Sequence, residues 1–121
     1  MTLKKIRLEL ARTREFPEGS PDRGYEFTAP LTADGHLDRE AWHKVRDRCT
    51  VRRFWAAEEE ERGHLIHRGN GWVFHYEGME AEEDEPIFKF DRHTFNDGDY
   101  LSVTEHDGVQ RPFKVVSVRP V

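Results

Sequence analysis

Seven histidines in 121 residues are the first chemistry the chain offers, since imidazole is the commonest protein ligand for metals. Two of them sit in a hairpin pattern. His64-Leu65-Ile66-His67 and Trp72-Val73-Phe74-His75-Tyr76 flank the turn signal Arg68-Gly69-Asn70-Gly71. Pairing Ile66 with Val73 sets His64 opposite His75, and cross-strand neighbours hold their Cβ atoms ~4.5–5.5 Å apart, within reach of one ion. A third ligand has to come from Glu77, His93 or the acidic stretch that follows Tyr76. Two ligands do not make a site, so the pair reads first as polar residues on a wet sheet face. The expectation is no metal and no cofactor.

A basic stretch is the second candidate. From Arg39 to Arg53 six Lys/Arg stand against two acids, with Trp42, Phe54 and Trp55 interleaved. Cations among aromatics can hold single-stranded nucleic acid through phosphate contacts and base stacking, which singles out Arg39, His43, Arg46 and Arg52. The same aromatics fit a core stripe equally well, and a net charge of −5 is a poor balance for a polyanion binder. Cys49 is the sole cysteine, which excludes an intramolecular disulfide and a cysteine-based zinc site. It reads as a buried structural thiol. No Gly-x-Ser-x-Gly, phosphate loop or dinucleotide fingerprint occurs, so no catalytic set is nominated and the reading leans away from an enzyme.

The elements that must position these residues are mostly strands. Ile6, Leu8 and Leu10 alternate with Lys5, Arg7 and Glu9 over residues 2–12. Residues 16–24, with two Pro and two Gly, read as a loop, and 25–31 as a strand that Pro30 stops or confines to an edge. A helix is expected over 38–48, N-capped by Asp38, with Leu37, Ala41, Trp42, Val45 and Cys49 on its apolar stripe. Period two returns from Thr50 to Ala57, then comes the histidine hairpin, an acidic loop over 77–85 and a short strand over 87–90. A closing hairpin turns through His106-Asp107-Gly108. A three-residue loop with Gly108 left-handed pairs Leu101 with Phe113 and sets Glu105 opposite Val109. Trp55, Trp72, Phe74, Leu101 and Phe113 are the expected core.

The fold class that follows is α+β but mostly β. It is a small antiparallel barrel or strongly bent sheet of seven to eight short strands with one helix, a single domain over 1–121. Residues 48–55 and 105–108 resemble stretches of small uncharacterised bacterial proteins, a resemblance that brings no function with it. No apolar run reaches the ~7–15 residues of a signal-peptide core or the ~20 of a membrane span, so a cytoplasmic protein without membrane contact is expected. The leading function is a noncatalytic binding or regulatory module that docks a protein or peptide through edge strands and charged loops. The alternatives are a nucleic-acid-associated protein using the basic helix and the strand after it, and a metal-dependent small-molecule enzyme at His64 and His75.

Overall fold

The computed structural model describes residues 2–80, 84–87 and 89–121, and the backbone alone of Asp91. Eight antiparallel strands pair in sequence order, and the eighth returns to the first to close a barrel. They are β1 (Thr2–Leu10), β2 (Ser20–Leu31), β3 (Thr50–Trp55), β4 (Glu61–Arg68), β5 (Gly71–Tyr76), β6 (Glu85–Ile87), β7 (Tyr100–Thr104) and β8 (Gln110–Pro120). Eight strands leave an interior just wide enough for side chains to fill. Tyr25, Phe27, Phe74 and Phe113 fill it here, with Ile6, Leu8, Leu65 and Val103, all fully buried. The rings of Phe27 and Phe74 lie 5.3 Å apart and those of Tyr25 and Phe113 5.1 Å, at angles that avoid face-to-face stacking. No helix among the described residues is long and apolar enough to cross a membrane.

One end of the barrel is stoppered. The helix α1 (Arg39–Val45) lies between β2 and β3, and Asp38 caps it by accepting from the Ala41 amide at 3.0 Å. It is shorter than its sequence pattern suggests, because residues 46–48 tighten into a 3-10 turn that feeds Thr50 into β3. Trp42 donates to the Leu65 carbonyl at 3.1 Å and packs edge-on against Trp72 at 4.8 Å, and Phe90 and Phe95 complete the plug. Cys49 is buried beside it, and burial pushes its thiol up to about 11, so it is a packing residue at neutral pH.

Both hairpins take the expected registers. Ile66 pairs with Val73 and His64 with His75; Leu101 pairs with Phe113, and Glu105 and Val109 close the turn with Gly108 at φ +79°. Besides the shorter helix, three expectations change. Ser20–Gly24, read as loop, opens β2, because a bulge at Glu9/Leu10 lets the strand run on. Gly24 belongs there because a Cβ would come within 1.9 Å of the Leu8 carbonyl oxygen. The short strand expected over 87–90 falls earlier, at Glu85–Ile87; Lys89 is left-handed, Phe90–Arg92 form a 3-10 turn, and Phe88 lies outside the described residues. Trp55 is half-buried rather than core, because it stands at the rim of the barrel's other end.

Candidate functional site

Period two builds a second, polar layer on the aromatic one. Tyr25 stands two residues before Phe27, Arg53 two after Val51 and Tyr76 two after Phe74. Glu85 stands two before Ile87, Glu105 two after Val103, and Arg111 two before Phe113. Each therefore points inward, at the end of the barrel opposite the helix. That end is the mouth. The strands deliver six polar side chains to it, none more than 9% exposed.

Glu85 is fully buried. Its Oε1 accepts from the Tyr76 hydroxyl at 2.5 Å and lies 2.9 Å from that of Tyr25, while Oε2 accepts the His106 amide at 3.1 Å. Oε2 of Glu105 accepts Nε and Nη2 of Arg53 at 3.2 and 3.0 Å and lies 3.0 Å from the Tyr25 hydroxyl. Arg53 also reaches Glu58 and Glu61 through Nη1, at 3.3 and 3.4 Å, and sits over the Trp55 ring at 4.4 Å. Arg111 forks onto Asp107 at 3.1 and 3.0 Å and reaches Glu15 at 3.1 Å, tying two mouth loops together. Burial raises both glutamates above the usual carboxylate range, with Arg53 and Arg111 pulling Glu105 back and Tyr76, His106 and Arg53 pulling Glu85 back. Burial also drives the Tyr25 and Tyr76 hydroxyls well up, so both stay protonated donors.

A glutamate raised in the fold binds a proton more tightly there than in the unfolded chain. Its stabilising contribution is complete below the ordinary value of ~4.3 and is lost as pH climbs through the raised value. Wild-type protein is therefore expected to melt higher at mildly acidic than at alkaline pH, and Glu85→Gln, which keeps the shape and removes the titration, to narrow that gap. Thermal melts of both proteins across this range check it; equal pH profiles would remove Glu85 from the linkage.

The residues nominated by sequence fall elsewhere. His64 and His75 do face each other, on the outer wall, where His75 Nδ1 lies 2.6 Å from an Asp84 oxygen and Arg68 Nε holds the other at 2.6 Å. Among the described residues no group of three ligands that could hold a metal forms, and residues 81–83 of the acidic loop lie outside those residues. Arg39, His43 and Arg46 are exposed on the segment that stoppers the closed end. Arg52 is apart from them on the wall, bound to Glu60 at 2.5 Å and facing Glu26 at 3.6 Å. Sequence reasoning missed Glu85 and Glu105 because both looked like loop or strand-end acids; their two-residue offset from Ile87 and Val103 was the signal.

The mouth opens on a notch of about 220 Å³ walled by Arg53, Trp55, Glu58, Glu105, Asp107 and Arg111. A larger cleft of about 600 Å³ lies outside β1 and β8, but Arg12, Glu18, Tyr100 and Lys114 in its lining are exposed, and no buried ionisable group faces it. The chain matches no protein-family model, no curated protein and no solved structure.

Proposed function

We propose that the chain is a noncatalytic docking module whose mouth receives a basic protein or peptide. The observation that carries this is the division of charge along the barrel axis. Of the four connections at the mouth, the described residues of 11–19 hold two acids and two bases, of 56–60 three acids, of 77–84 three acids and of 105–109 two acids, the last three without Lys or Arg. At the stoppered end, residues 32–49 hold four of each sign, and 89–99, Asp91 aside, hold two of each. Complementary fields steer encounter and select partners, so an acidic mouth favours a basic partner and repels a polyanion.

Closure of the barrel supports loops rather than strand edges as the docking elements, since a closed sheet offers no edge for strand addition. The notch is smaller than the ~300–1,000 Å³ of small-molecule sites and suits a side chain. Lys5, Arg7, Glu26 and Arg52 on the outer wall suit an aqueous setting, and a single buried thiol suits the reducing cytoplasm. Fluorescence anisotropy with labelled octalysine, octaglutamate and a single-stranded oligonucleotide tests the proposal. Octalysine is expected to bind best, to weaken with salt, and to lose affinity several-fold when Glu58→Lys and Glu59→Lys are combined. Tighter binding of the oligonucleotide would replace this reading with a nucleic-acid one.

A further inference from the structure

We infer that the notch is a receptor for one cationic side-chain head, a primary ammonium or a guanidinium, whose hydrogen bond goes to Oε1 of Glu105. The inference rests on the docking reading and supplies its point of specificity. Glu105 is 4% exposed, and its two oxygens are treated unequally. Oε2 faces Tyr25 and two nitrogens of Arg53, whereas Oε1 is buried and has no hydrogen-bond partner among the described residues. The cation facing Oε1 is Arg111, whose Nη1 stops 3.6 Å away because it donates to Asp107 at 3.1 Å. Arg111 and Glu105 both line the notch, so a ligand seated there lies beside this carboxyl group and the guanidinium next to it. A buried acceptor left without a donor is a standing cost, and a ligand that donates to it removes that cost.

The proton inventory fixes the sign of the ligand. Tyr25 has one hydrogen and two carboxyl neighbours, at 2.9 and 3.0 Å. Every contact is satisfied when Glu85 carries a proton and donates it to the Tyr25 oxygen, leaving the tyrosine hydrogen for Oε2 of Glu105. The groups around each carboxyl agree. Glu85 faces two tyrosine hydroxyls and the His106 amide, with Arg53 Nε and His106 Nε2 each 3.7 Å off, and His106 is itself held by Glu61 at 3.0 Å. Glu105 has Arg53 at 3.0 Å and Arg111 at 3.6 Å, so the negative charge belongs to Glu105. An ionised carboxylate accepts and cannot donate, and charged donors make its stronger bonds. Glu15, Glu58, Glu105 and Asp107 outnumber the two arginines in the lining, so a third cation meets net negative charge.

The test is an amide NMR titration of the full chain with N-acetyl-lysine N-methylamide, repeated with the arginine and norleucine analogues. Saturable shifts confined to residues 53–58 and 105–111 are expected with lysine or arginine and not with norleucine. Glu105→Gln should abolish them; Arg111→Met, which removes a competing cation and leaves Glu105 in place, should strengthen binding several-fold. Equal shifts with norleucine, or none with either cation, overturn the inference in wild-type protein whether or not a variant folds. If octalysine still binds while these amides do not, the notch fails and the docking reading stands; if neither binds, both fail.

Discussion

Arg53→Met should cost about 3–5 kcal/mol of folding stability, the usual result when one partner of a buried ion pair is removed. Arg53 is 6% exposed and supplies two of the three hydrogen-bond donors to Glu105 Oε2. Without it the carboxylate is stranded beside Tyr25 and Glu85, with Arg111 too far to replace the lost bonds. Adding Glu105→Gln to Arg53→Met should restore part of the loss, since a neutral amide still accepts from Tyr25 and carries no charge to be stranded. Urea titrations of the two single variants and the double variant measure the coupling. A loss below ~1 kcal/mol for Arg53→Met would mean that water solvates Glu105 in the folded protein, and the buried layer described above would not exist.

The second large effect lies one layer deeper. Phe113 is fully buried, stands between Leu10 of β1 and Leu101 of β7, and meets the Tyr25 ring at 5.1 Å. Truncation to alanine is expected to cost about 3–5 kcal/mol, lost burial plus the cavity left behind. Total stabilities are typically ~5–15 kcal/mol, so the variant should be largely unfolded at modest urea. Its midpoint, read by circular dichroism, decides the matter. A midpoint close to wild type would place the ring at the surface and break the register of the closing hairpin. Because Phe113 supports the floor under Tyr25, surviving folded molecules should also show a disturbed mouth.

Much of the barrel was legible because strands announce themselves by alternation. Ile6, Leu8 and Leu10 gave β1, and the turn chemistry at Gly69-Asn70 and Gly108 gave both hairpin registers. A barrel and a bent sheet stayed side by side as readings, because closure depends on β1 meeting β8 across more than a hundred residues, a pairing no local pattern encodes. β2 began five residues early because Pro21 and Gly24 signal a loop wherever a bulge is not foreseen. The mouth was hidden for a different reason. Composition treats Glu85, Glu105 and Arg53 as surface residues, since such groups are almost never fully buried unless paired. Their partners come from different strands, and pairing across a barrel is visible only once the strands are in place. Trp55 was misplaced for the same reason: alternation gives the inward side of a strand but not how near the rim a residue stands.

The β1–β8 seam also bears on how the molecule is made. Lys4 pairs with Pro120 and Leu10 with Phe113, so one flank of β1, the earliest made of the eight barrel strands, waits for β8 to leave the ribosome. At about 5–20 residues per second that wait lasts several seconds. Throughout it β1 offers unpaired amides and carbonyls to any neighbouring nascent chain. Lys5, Arg7 and Glu9, alternating along the outward face of that strand, put charge where such a chain would have to stack. The ionic wall of the finished barrel is thus also a guard for the half-made one.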